Sequence, residues 1–205
     1  MPLTVHGAVV AGGAASRYGG KPKGLLEVGG RRILDRVVES LRQATGEPPT
    51  IIANASDAAG WRPDLRVVPD VLPGQGSLGG ILTAVERLGP ALCVAWDMPF
   101  VPAGLLAALA ALLEEADAAL PESDSRRGVE PLCAAYGAAC GSAIRAALAR
   151  GDGRAVGFHG DVRVARLRRE DVLQYGDPDV LFFNVNTADD LARAERLCRS
   201  LDSSR

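Results

Sequence analysis

The sequence predicts an α/β fold of three layers, α/β/α, built on a mostly parallel, twisted, Rossmann-like sheet. Short apolar runs alternate with helical segments along nearly all of the 205 residues, the pattern left by parallel strands joined through crossover helices. The first run, His6 to Ala11, reads as a buried strand and empties into a loop rich in glycine and cations. Four runs end near Gly12, Asn54, Asp70 and Asp97, and in open α/β sheets ligands sit outside the carboxyl ends of the strands. One domain covering residues 1–205 is the expectation at this length.

The remaining elements follow in order. Glu27 to Gly30 makes a turn. Arg32 to Gln43 sets Ile33, Val37, Val38 and Leu41 at helical spacing, so it reads as an amphipathic helix. Thr50 to Ala53 and Arg66 to Val68 are short β-branched strands. Leu72 to Gly80 is a second glycine-rich loop that opens a helix over Ile81 to Leu88, and Ala91 to Trp96 is a buried strand. Pro102 to Glu115 reads as a helix with proline in its first turn, and Ala116 to Leu120 as a strand. Pro121 to Pro131 is the longest polar stretch and the best candidate for a mobile substrate loop. Leu132 to Tyr136 and Arg163 to Leu167 are strands. Between them lie a helix over Ala138 to Arg150 and a break at Gly151 to Gly153. Thr187 with Asp190 is placed to cap a last helix, Ala188 to Leu201.

The loop after the first strand carries the chemistry. Gly12, Gly13, Gly19, Gly20 and Gly24 let backbone N–H groups close on an anion, and Arg17, Lys21 and Lys23 supply positive charge. Of the 23 basic residues, only Lys21 and Lys23 are lysine, leaving 23 − 2 = 21 arginines. A compact ammonium suits a phosphate oxygen approached as a point charge, whereas a guanidinium suits forked pairing. The loop is not a Walker A sequence, because Ala15 stands where its first glycine belongs and Pro22 where Ser or Thr should follow the lysine.

Composition excludes several classes. A 47% hydrophobic content with net charge −2 describes an ordinary globular chain, with no basic concentration for nucleic acid or an acidic membrane. No apolar run reaches the length of a membrane span, and the first residues lack a signal-peptide pattern. Cys93, Cys133, Cys140 and Cys198 form no CxxC pair and read as reduced packing residues of a cytoplasmic protein. His6 and His159 are too few for a histidine metal site.

Gly74, Gly76 and Gly79 satisfy GxGxxG, and Asp97 follows Gly79 by 18 residues, so a nicotinamide dehydrogenase is one alternative. Its context is poor: the pattern is not at the first strand, and Pro69, Asp70 and Pro73 precede the glycines. Asp97, ending a buried strand beside a phosphate loop, is the candidate Mg²⁺ ligand, since magnesium is held by one or two carboxylates plus substrate phosphates. The alternative reading of Asp97 is a cap on the helix that follows. Asp70 has the same two readings, and Asn54 could simply end its strand.

The segments VVAGGAASRYGGKPKGLL, IIANAS, VVPDVLPGQGSLGGI, VAWDMPFVP, EPLCAAY and NVNTADDL occur in an order and at spacings that resemble the molybdenum cofactor guanylyltransferases (MobA), within the nucleotidyltransferases of nucleotide-diphospho-sugar transferase type. The resemblance runs from about Gly7 to Leu191. It implies transfer of GMP from Mg-GTP to the phosphate of molybdenum-bearing molybdopterin, with release of pyrophosphate. The N-terminal half would bind nucleotide and the C-terminal half the acceptor. Residue by residue, it implies that Val10, Ala11, Gly12 and Gly13 hold the nucleotide through the backbone, and that Lys23 and Arg17 contact phosphates as catalytic groups. Asn54 and Asp70 would meet the nucleoside, Asp97 would bind Mg²⁺ and nucleotide, and Asn184 and Asn186 would support the acceptor side. Departures are Tyr18 for a frequent methionine, Pro22 for a frequent aspartate, and Glu130 for a histidine of some members.

The chemistry so implied asks mainly for positioning and charge stabilisation. An acceptor phosphate is already ionised near neutral pH, so no catalytic base is required. The alternatives are a CTP-dependent enzyme on the same acceptor, a nucleotidyltransferase of another small molecule, or a GTP-binding module without turnover. Proteins that deliver and receive a labile cofactor are expected partners.

Overall fold

The computed structural model describes residues 3–11, 17–18 and 21–203, with residues 17, 18, 21 and 203 described for their backbone alone. Seven strands form one sheet: β1 (His6–Val10), β2 (Thr50–Ile52), β3 (Val67–Val68), β4 (Ala91–Ala95), β5 (Ala118–Pro121), β6 (Cys133–Tyr136) and β7 (Val164–Leu167). Their order is β7-β5-β6-β4-β1-β2-β3. All neighbours are parallel except β6, which runs against both β4 and β5. The mostly parallel sheet and its layers are therefore as expected.

Both faces are covered, which is why β1 and β4 are apolar at nearly every position instead of alternating. On one face α1 (Ile33–Thr45) and α3 (Ala103–Ala111) pack together. In α1, Ile33, Leu34, Val37, Val38 and Leu41 are buried, each such side chain stabilising by roughly 1.5–3 kcal/mol relative to exposure. On the other face lie α2 (Gly76–Leu88) and α4 (Ala139–Ala149). Two short helices, α5 (Arg169–Val172) and α6 (Pro178–Leu181), and the last helix, α7 (Ala188–Ser203), complete the chain.

Helix α2 begins five residues before the expected start at Ile81, so the second glycine loop is shorter than its composition suggests. Gly80 explains the sequence: a β-carbon there would meet Val10 Cγ1 at 2.5 Å. The glycine lets the helix lie directly on β1. The 122–131 segment is also more structured than a free loop. Glu122 bridges Val129, Gly128 N–H donates to Ser125 O at 2.8 Å, and the Ser123 hydroxyl donates to Glu130 Oε1 at 2.8 Å. Helices α5 and α6 had no counterpart in the sequence reading, being single turns without a periodic pattern.

Candidate active site

The carboxyl ends of β1, β2, β3 and β4 lie side by side because those strands are parallel neighbours, and Ala11, Asn54, Asp70 and Asp97 follow them on one rim. Lys23 and Gly24, further along the chain, return to the same rim. Backbone at Arg17 and Tyr18 pairs antiparallel with Lys21 and Pro22, and a 3₁₀ turn over Lys23–Leu25 follows. Gly24 presses on the indole of Trp96, where a β-carbon would sit 2.6 Å from Cε3. Trp96 in turn stacks on Trp61, with ring centroids 4.8 Å apart. Since Lys23 precedes Gly24 and Asp97 follows Trp96, this contact sets a cation and a carboxylate on adjoining chain.

Lys23 is only 6% exposed, unusual for a lysine. Its ammonium donates to Asn186 Oδ1 at 2.6 Å, joining residues 163 apart in sequence. Asp97 is half-buried, and burial raises its carboxyl above the ordinary aspartate range, with the Lys23 ammonium opposing that shift. Among the described residues no side chain donates a hydrogen bond to this carboxylate, and Lys23 acts on it through its charge alone. A hard anionic oxygen donor left in that condition suits a divalent cation.

The segment carrying the two asparagines is held from both ends. Val185 N–H donates to Asp97 O at 2.9 Å, and Asn184 Nδ2 donates to Phe182 O at 2.9 Å. At the start of α7, Asp190 Oδ2 accepts from Thr187 N at 2.8 Å and Asn186 N at 3.0 Å, while Asp190 N donates to Thr187 Oγ1 at 3.1 Å. This is the reciprocal cap expected of Thr187 and Asp190, and it fixes the backbone from which Asn186 meets Lys23.

Across the rim, Asn54 and Asp70 pair with each other: Asn54 Nδ2 donates to Asp70 Oδ2 at 2.7 Å, and Asp70 N donates to Asn54 Oδ1 at 2.9 Å. Behind them is Thr83, buried in α2, whose hydroxyl donates to Gly79 O at 2.8 Å and accepts from Val71 N at 3.0 Å. Thr83 is a supporting residue that sequence reasoning missed, because only the fold brings it under Asp70.

Of the anticipated residues, Val10, Ala11, Lys23, Asn54, Asp70, Asp97, Asn184 and Asn186 stand along this rim. Gly12 and Gly13 lie outside the described residues, as does the side chain of Arg17. All four cysteines are free and buried. Burial raises the thiols of Cys93, Cys133 and Cys140, the last to about 12, which suits packing and not nucleophilic use. His6 faces Glu47 at 3.3 Å.

Residues 7–164 match the MobA-like NTP transferase domain. The chain belongs to that family. A probable molybdenum cofactor guanylyltransferase of Pelotomaculum thermopropionicum is 35% identical over 99% of this chain and 98% of its own length. A molybdenum cofactor guanylyltransferase of Bradyrhizobium sp. is 36% identical over 97% and 95%. Among solved structures, molybdopterin-guanine dinucleotide biosynthesis protein A from Archaeoglobus fulgidus matches with a TM-score of 0.79 and 26% identity, over 96% of this chain and all of that one. This MobA-like transferase is an enzyme of the nucleotidyltransferase class. The nicotinamide reading of GxGxxG thereby loses its basis, and two of the glycines concerned, Gly76 and Gly79, belong to helix α2.

Proposed function

We propose that this MobA-like transferase moves GMP from Mg-GTP to the phosphate of molybdenum-bearing molybdopterin, giving the guanine dinucleotide form and pyrophosphate. The observation that carries the reading is the meeting of Lys23, Asp97 and Asn186 at the carboxyl edge of the sheet, in a chain 31% to 36% identical to proteins named molybdenum cofactor guanylyltransferase. The N-terminal half takes the nucleotide and the C-terminal half the acceptor.

In this mechanism an acceptor phosphate oxygen bonds to the α-phosphorus as the bond from that phosphorus to the β-phosphate oxygen breaks, and pyrophosphate leaves. The backbone from Val10 to Gly13 closes on the triphosphate. Lys23, held by Asn186, places its charge on phosphate oxygens as charge develops, with Arg17 assisting. Asn54 and Asp70 contact the nucleoside with the faces they leave open. Asp97 would hold Mg²⁺, whose chemistry when bound is to neutralise phosphate charge. Among the described residues no three His, Cys, Asp or Glu side chains are placed to hold a metal together, so phosphate oxygens and water would complete its shell. Asn184 supports the acceptor side. The four free thiols fit the cytoplasm, where a labile acceptor is passed on by delivery proteins.

A thermal-shift panel tests the nucleotide. With Mg²⁺, GTP at a hundred times its Kd stabilises by about 2.7 kcal/mol, which for a domain of this size raises the melting temperature by roughly 5–10 °C. ATP, CTP and UTP leave it within a degree or two. A shift with CTP and none with GTP would make this a cytidylyltransferase. GTP binding without pyrophosphate release on adding molybdopterin would leave only a binding module.

A further inference from the structure

Strand β6 runs against β4, with Cys133 opposite Val94, so the chain entering β6 stands beside the chain leaving β4. The 122–131 segment is thereby brought to the flank of Asp97. Between them lies a cavity of about 110 Å³ lined in part by Ser77, Met98, Arg127, Glu130, Leu132 and Asn184. Met98 follows Asp97 directly, and Asn184 adjoins Val185, whose amide binds the Asp97 carbonyl. The cavity therefore opens onto the chemistry from the side away from Asn54 and Asp70.

Two opposite charges share this space without forming an ion pair with each other. Glu130 Oε1 accepts the Ser123 hydroxyl, and the second oxygen has no partner among the described residues. The Arg127 guanidinium likewise has no hydrogen-bonded or ionic partner among them. Three other arginines of the C-terminal half are engaged: Arg154 with Asp152, Arg168 with Glu170 and Asp171, and Arg169 with Asp124. An inorganic anion drawn to Arg127 would be repelled by Glu130. A ligand that satisfies both must carry anionic oxygen and a set of N–H donors.

A pterin phosphate is such a ligand. Its pyrimidine ring presents an amino group and a ring N–H side by side, the arrangement that a carboxylate accepts in two parallel hydrogen bonds. Guanine offers the same edge, but the order β6-β4-β1-β2-β3 puts Asn54 and Asp70 across the rim from Glu130, with Asp97 between. The geometry points to Glu130 and Arg127 as the acceptor-selecting pair, Glu130 reading the N–H edge of the pterin and Arg127 its anionic portion. This assignment rests on the guanylyltransferase reading above.

The test compares wild type with Glu130→Gln and Arg127→Ala, using molybdenum-bearing molybdopterin as acceptor and pyrophosphate release as signal. Losing one charge-assisted hydrogen bond raises the KM for the acceptor about tenfold in each variant, while the Kd for Mg-GTP stays within twofold. An Arg126→Ala control, one residue outside the lining, leaves both constants unchanged. Glu130→Gln removes the charge and keeps an oxygen for Ser123. Should it fail to fold in a thermal scan, Arg127→Ala gives the answer, because that side chain makes no internal bond. Acceptor KM within twofold of wild type in the folded variants overturns the assignment, as does weakened GTP binding with acceptor KM unmoved. If wild type itself transfers nothing to molybdopterin, the guanylyltransferase reading fails first and this assignment with it.

Discussion

In the proposed mechanism Asp97 is the residue on which the chemistry turns, and its environment works against its own charge. Burial favours the protonated carboxyl, and Lys23 only partly offsets this. A carboxyl whose pKa is raised on folding contributes stability that is complete below the unfolded pKa and is lost as pH rises through the folded one. At neutral pH the ionised side chain therefore weakens the protein unless a cation or ligand compensates. Asp97→Asn is expected to melt at the same temperature as wild type or higher in a metal-free scan at pH 7, with the gap closing as pH falls below the ordinary aspartate range. The same variant should lose at least about a hundredfold in turnover, the scale on which removal of a preorganised charge-stabilising group is felt. A variant that keeps wild-type turnover would remove Asp97 from the mechanism. Proton and metal also compete for this carboxylate, so the Mg²⁺ concentration giving half-maximal rate should rise as the pH is lowered toward Asp97's own titration.

At the scale of elements, helix α7 acts through its first turn. Asp190 receives two backbone N–H groups and thereby fixes the chain at Asn186, which in turn receives the Lys23 ammonium. Asp190→Ala should lower stability by about 0.5–2 kcal/mol, the usual scale for a lost cap, and raise the KM for GTP through the loosened Asn186. Unchanged GTP kinetics with the stability loss alone would reduce α7 to a structural role. This cap was legible beforehand, because Thr187 and Asp190 stand at the spacing of a capping box just before a periodic helix. The start of α2 was not, because glycines read as loop when their neighbours in space are unknown. For Gly24 a packing role went unseen in the same way, since only the fold shows the Trp96 ring against it.

At the scale of the molecule, the layers depend on the close approach of α2 to β1. Gly80→Val would drive branched carbons into Val10, and overpacking of this kind costs about 1–3 kcal/mol. Because Val10 leads into the glycine loop, weaker GTP binding should accompany the lower melting temperature. Normal GTP affinity in the destabilised variant would separate the layer contact from the loop. The sheet, both helical layers and the rim of strand ends marked by Asn54, Asp70 and Asp97 followed from alternating patterns and from the polar residues that stop each strand. What stayed hidden was lateral order. No periodicity reveals that the strand at Cys133 is inserted between Ala91–Ala95 and Ala118–Pro121, or that it points the other way. The cavity holding Arg127 and Glu130 could not be seen for that reason.

That one reversed strand divides the labour of the rim. Strands β1 to β4 present their trailing ends, where the proposed mechanism puts the grip on the triphosphate. The leading end of β6 enters from a segment that is shaped by bonds of its own and by ties to the 167–169 chain, away from the strands β1 to β3. A descendant of this protein could therefore lengthen or rewrite residues 122–131 to accept a different molecule while inheriting its hold on the nucleotide intact.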